Sequence, residues 1–125
     1  MPSFKTLSLI SATIAALLFL TLLLAPGLIF WLFAVDSHES AEFIARRAAM
    51  LFLGLAVLNY LARNTPPSQL RRALSLGMAS TMLGLALLGT VELLCGFAGI
   101  GIVPAILTET LLGLAYLSYW RRQAG

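Results

Sequence analysis

Four long apolar runs constrain this chain more than anything else in it: residues 7–25, 43–62, 73–97 and 100–120. Each reaches the roughly 18–20 residues that an α-helix needs to cross about 30 Å of hydrocarbon at about 1.5 Å per residue. The first contains no charge, the second only Arg46 and Arg47, the third only Glu92 and the fourth only Glu109. Apolar side chains cover every face of these runs. That suits helices surrounded by lipid and not the one-sided stripe of a soluble surface helix. The expected fold is an all-α integral membrane four-helix bundle, one transmembrane domain over 1–125, with helices at about 7–25, 43–62, 73–97 and 100–120.

Composition agrees. Hydrophobic residues make up 60% of the chain, charged residues 10%, and the mean hydropathy is +0.96. A soluble domain carries about 45–50% apolar and about 25% charged residues. The net charge of +3 does not point to nucleic acid, because the basic residues flank apolar runs and form no aromatic-interleaved patch. Cys95 is the one cysteine, which excludes an internal disulfide and a thiolate metal site. Its simplest role is as a small packing residue.

The breaks between runs are chemically distinct. Pro26 and Gly27 end the first helix, since proline removes a donor and glycine accepts unusual angles. An aromatic segment around Trp31 passes into "DSHESAE", where Asp36 reads as an N-cap, with Glu39 at N3 and Glu42 adding negative charge near the second helix. "NTPPSQLRR" is a polar loop with Ser68 as N-cap of the third helix, and "GFAGIGIVP" is an uncharged turn before the fourth. Lys5 ahead of an apolar run also suits a secretory signal. The run exceeds the about 7–15 residues of a signal core, and Leu23 stands where a cleavage site needs a small residue, so a retained helix is expected.

Orientation follows from the basic residues. With four alternating spans, Lys5, Arg63, Arg71, Arg72, Arg121 and Arg122 fall on one side, and only Arg46 and Arg47 toward the other. Both termini are therefore expected in the cytoplasm and the acidic loop with Asp36, His38 and Glu39 outside, in a bacterial inner membrane. Trp120 and Tyr119 fit an aromatic belt at the cytoplasmic interface.

The intramembrane charges are the candidate site. Arg46 and Arg47 lie about 5–6 Å below the outer edge by helical rise, Glu92 about 7–8 Å and Glu109 about 9 Å, all in the outer half. Unpaired, each costs about 2.5–3.5 kcal/mol near a helix centre and less near the interface. Pairing Arg46 or Arg47 with Glu92 and Glu109 removes much of that cost, so an inward-facing Arg/Glu cluster, binding or structural, is expected. Gly77, Thr81, Gly84, Leu88, Glu92 and Cys95 share a small, weakly polar helix face suited to packing on other helices. Ala45, Ala49, Phe52, Ala56 and Asn59 form a comparable stripe, and Glu109 and Gly113 stack at i and i+4. The competing reading is that an arginine this close to a helix end snorkels outward with its stem in lipid.

His38 with Glu42 at i+4 is a weak metal candidate, outweighed by the reading as a solvated helix N-terminus; no metal or other cofactor is expected. HExxH, GxSxG, GxGxxG and Walker sequences are absent, and no enzyme activity is expected. The chain departs from the four-span small multidrug-resistance transporters, whose carboxylate lies in the first helix, because nothing ionisable follows Lys5 there. The segments "ARRAAMLFLGLAVL" and "LLGTVELLCG", with a glutamate in the last helix, resemble small uncharacterised four-span bacterial membrane proteins grouped as domains of unknown function. That resemblance implies four spans, with Arg46, Arg47, Glu92 and Glu109 as the displayed polar positions, and implies no activity. The expected role is accessory or structural, or small-amphiphile binding at the cluster. The alternative is a minimal proton-coupled or solute transporter in which Glu109 titrates. The expected partners are the lipid bilayer and either a second copy or another membrane protein.

Overall fold

The structure, a computed structural model, describes residues 3–122. Helix α1 (Phe4–Leu24) begins at Ser3, whose Oγ accepts from the Thr6 N–H at 3.2 Å. It stops before Pro26, but the chain does not become irregular there: Pro26 opens a short helix α2 (Pro26–Leu32). Proline at the first helical position loses no bond, because that N–H has no intrahelical partner in any case. Helix α3 (Glu39–Leu61) starts earlier than expected. Its N-cap is His38 and not Asp36, without a side-chain cap bond, and Glu39 and Glu42 lie in the first turn, where the helix dipole favours negative charge.

Helix α4 (Gln69–Leu94) begins at Ser68 as its sequence indicates, with Ser68 Oγ accepting from the Arg71 N–H at 3.2 Å. After the turn a 3₁₀ segment, Ile100–Ile102, leads into α5 (Val103–Arg122). The described residues are all-α, with no strand. Three segments are long and apolar enough to cross a membrane: Phe4–Leu24, Gln69–Leu94 and Ile100–Arg122. Helix α3 has comparable length, 23 residues, but carries Arg46 and Arg47 in its first half and is not among them. The outer surface suits lipid and not water: Leu51, Leu94, Phe97 and Ile100 are each more than two-thirds exposed, amid many other exposed large apolar residues.

The helices pack as two pairs, α1 with α3 and α4 with α5. Helix α3 presents the stripe that its spacing predicts: Ala45, Ala49, Ala56 and Asn59 are buried and Phe52 half-buried. Helix α4 does not present its expected face. Gly77, Thr81, Gly84, Leu88 and Cys95 are exposed, and only Glu92 is half-buried. The buried face consists of Ser75, Met78, Ala79, Met82, Ala86 and Gly89. Close contact with α5 sets this rotation. A Cβ on Gly89 would come within 3.1 Å of Ile106, and one on Gly113 within 2.7 Å of Leu83. Methionine, apolar and adaptable, then fills the space between the pairs better than the small residues of the opposite face.

At the end opposite Ser3, the segment after α2 is clamped to the turn before α5. Gly99 N–H donates to the Phe33 carbonyl at 2.7 Å, and Gly101 leaves no room for a Cβ beside the Leu32 carbonyl. Ala34, packed against Gly99, holds φ 55°, a left-handed conformation that costs a residue with a Cβ about 1–2 kcal/mol.

Candidate functional site

Between the two helix pairs lies a cavity of about 420 Å³. All five helices contribute to its wall. Ile14, Leu18 and Leu22 come from α1, Phe52 and Leu55 from α3, Met82 and Leu85 from α4, and Ile29 and Phe33 close the end near α2. The lining is apolar except for Ser11, Thr108 and Glu109. The Thr108 hydroxyl donates to the Pro104 carbonyl at 2.9 Å, so its proton is used within its own helix. Glu109 is half-buried and is the one ionisable side chain on the cavity wall among the described residues.

The side of the cavity toward Ser3 ends in a buried polar knot. Tyr116 Oη lies 2.9 Å from both Ser11 Oγ and Asn59 Oδ1. A phenol has one proton, and the amide oxygen can only accept. Tyr116 therefore donates to Asn59, and the Ser11 hydroxyl donates back to Tyr116. Asn59 Nδ2 in turn donates to the Leu55 carbonyl at 2.8 Å and contacts Met78 Sδ at 3.5 Å. Tyr116 is wholly buried, Ser11 and Asn59 nearly so. These groups tie α1, α3 and α5 together, with Met78 of α4 alongside. They hold the two pairs at a fixed spacing below the cavity.

The structure does not bring the four expected charges together. Arg46 and Arg47 are exposed, and among the described residues neither is ion-paired with Glu92 or Glu109. The reason lies in helical geometry: Ala45, Ala49 and Ala56 are buried as α3 packs on α1, which leaves Arg47 about 160–200° from Ala45 and Ala49 and Arg46 on their flank, about 60–100° away, both exposed. The Arg47 guanidinium lies 6.0 Å from the Phe43 ring, one turn nearer the start of α3, as expected of a side chain reaching for the membrane surface. Glu92 lies in the last turn of α4, half-buried and off the cavity wall. Only Glu109 faces the space between the pairs.

His38 and Glu42 stand at the exposed start of α3, where Ser37 donates to a Glu42 carboxylate oxygen at 3.0 Å. No group of three or more histidine, cysteine or carboxylate side chains is placed to hold a metal ion among the described residues. Sequence reasoning put Asn59 on the packing stripe but missed Tyr116 and Ser11. One available signal was that a tyrosine inside a span, one turn from its end, needs a hydrogen-bond partner within the protein. Comparison of the chain with protein-family models, curated proteins and solved structures gives no match.

Proposed function

We propose that this protein is a four-span inner-membrane accessory protein that binds a small amphiphile between its helix pairs, with Glu109 holding the polar head. One observation carries the reading: an apolar cavity of about 420 Å³ whose wall has a single ionisable side chain. Small-molecule sites are of this kind, roughly 300–1,000 Å³, mostly apolar, with a few polar groups that fix orientation. A carboxylate in such surroundings favours a ligand that brings a cation or hydrogen-bond donors, because an uncompensated charge there is costly.

The test uses the purified protein in neutral detergent, with decylamine and decanoate as ligands of matched chain length. Decylamine raises the unfolding midpoint and decanoate does not. Glu109→Gln weakens the amine response about tenfold or more, as expected for loss of a charge-assisted bond of about 1.5–3 kcal/mol. Glu92→Gln, a carboxylate off the cavity wall, retains it. Equal responses from the two glutamine variants would overturn the assignment. The same carboxylate also supports the second reading, a minimal proton-coupled or solute transporter, since it stands where two separately packed helix pairs meet. Uptake into proteoliposomes that disappears in Glu109→Gln distinguishes transport from binding.

In the proposed topology both termini and the 62–68 loop are cytoplasmic, in line with the six basic residues on that side. Cys95 is exposed at the far end of α4 and is the only thiol. A membrane-impermeant maleimide applied to intact cells or spheroplasts is expected to label Cys95. Labelling only after lysis would invert the orientation.

A further inference from the structure

We infer that the face formed by α3 and α4 docks a second copy of this chain, held by an ion pair from Arg47 of each copy to Glu92 of the other. A groove of about 310 Å³ divides the two helices, lined by Leu55 and Leu58 of α3 and by Leu70, Leu74 and Thr81 of α4. Neither helix packs mainly on the other: α3 packs on α1, and α4 on α5. Arg47 stands about three helical turns from Leu58 toward the start of α3, and Glu92 about three turns from Thr81 toward the end of α4. Each charge therefore continues the side of its helix that lines the groove. Both reach roughly the same level, about 16–17 Å beyond it. Among the described residues neither is ion-paired within the chain, and the Arg47 guanidinium lies 6.0 Å from the Phe43 ring.

One cation and one anion at a common level on opposite sides of a groove make a self-complementary patch. Two copies inserted in the same direction are related by a two-fold axis along the membrane normal. With that axis running down the groove, α3 of each copy lies against α4 of the other. Arg47 then meets Glu92 twice, and each charge gains the partner that hydrocarbon withholds. Both helices allow close approach. Gly54, on the Arg47 side of α3, and Gly84 of α4 are exposed, and a Cβ at either meets nothing within 4 Å. An anionic lipid headgroup on this face would satisfy Arg47 and repel Glu92. Neither charge lies on the cavity wall, so docking is independent of ligand binding at Glu109.

The experiment measures energy transfer between donor and acceptor fluorescent proteins fused to the C-terminus of the full chain, reconstituted together in phosphatidylcholine liposomes. Circular dichroism checks that each variant keeps the wild-type helix content. Wild-type copies transfer energy, and dilution with unlabelled chain lowers the signal. Arg47→Glu alone and Glu92→Arg alone each lose the transfer, because the interface then opposes like charges. A donor-labelled Arg47→Glu copy mixed with an acceptor-labelled Glu92→Arg copy recovers it, since both contacts again join opposite charges. No contact within one chain produces that recovery. Arg46→Glu, on the other side of α3, keeps the wild-type signal. Absence of transfer between wild-type copies, as when lipid or a different protein covers the face, overturns the inference. So does transfer that survives both single reversals, failure of the mixture to recover it, or an equal loss in Arg46→Glu.

Discussion

Gly101→Ala is expected to destabilise the protein by about 2–4 kcal/mol, although it adds a single methyl group. At Gly101 that methyl would overlap the Leu32 carbonyl oxygen, which is backbone and cannot rotate aside. The segment after α2 must then retreat from the turn before α5. Overpacking of this kind costs about 1–3 kcal/mol. The retreat also strains or breaks the 2.7 Å bond from Gly99 N–H to the Phe33 carbonyl, worth about 1 kcal/mol more. Because this clamp joins the end of the α1–α2 segment to the start of α5, its opening also widens the cavity beside Ile29, Phe33 and Pro104. The control is Gly77→Ala on the exposed face of α4, where an added Cβ meets nothing within 4 Å. There alanine's better helix propensity leaves stability unchanged or raised by up to about 1 kcal/mol. Urea unfolding in neutral detergent measures both. Equal midpoints for the two variants would show that the clamp does not hold the helix pairs together.

The all-α fold was legible because hydrocarbon-length apolar runs leave the backbone few options. The stripe Ala45, Ala49, Phe52, Ala56 and Asn59 was legible for a related reason, since small residues at helical spacing let two helices approach. The same rule misread α4, where the small residues Gly77, Thr81 and Gly84 face outward and Met78 and Met82 face inward. Two faces of that helix satisfy the small-residue pattern, Ala79, Ala86 and Gly89 forming the other, and only the fit of Gly89 against Ile106 and of Leu83 against Gly113 selects between them. The Arg/Glu cluster failed for a reason already present in the sequence. Arg47 lies opposite the stripe of Ala45 and Ala49 and Arg46 only on its flank, so with the alanines buried against α1 both arginines are left exposed. Glu109 stood as a candidate because mid-span depth forces an acid to find shelter. Its partner is an apolar cavity, which depends on how two helix pairs are spaced, and no periodicity along one helix reports that.

That spacing rests on the knot below the cavity, and its removal gives the second large effect. Tyr116→Ala is expected to cost about 3–5 kcal/mol, the range for deleting a fully buried aromatic side chain. The ring packs edge-on against Phe4, with centroids 6.3 Å apart, so its loss also loosens the start of α1. Tyr116→Phe keeps the ring and isolates the hydroxyl. It leaves Asn59 Oδ1 and the Ser11 hydroxyl without the phenol, at a cost of about 1–3 kcal/mol for buried groups left unpaired. If the three groups act as one network, the double variant Tyr116→Phe/Asn59→Leu is less destabilised than the sum of its single changes, because the second substitution removes the group that the first stranded. Strict additivity in that cycle would mean that the hydroxyl and the amide contribute independently. The amine response at Glu109 follows the same logic. A knot that sets the distance between the pairs weakens the response when removed, although Tyr116 does not line the cavity.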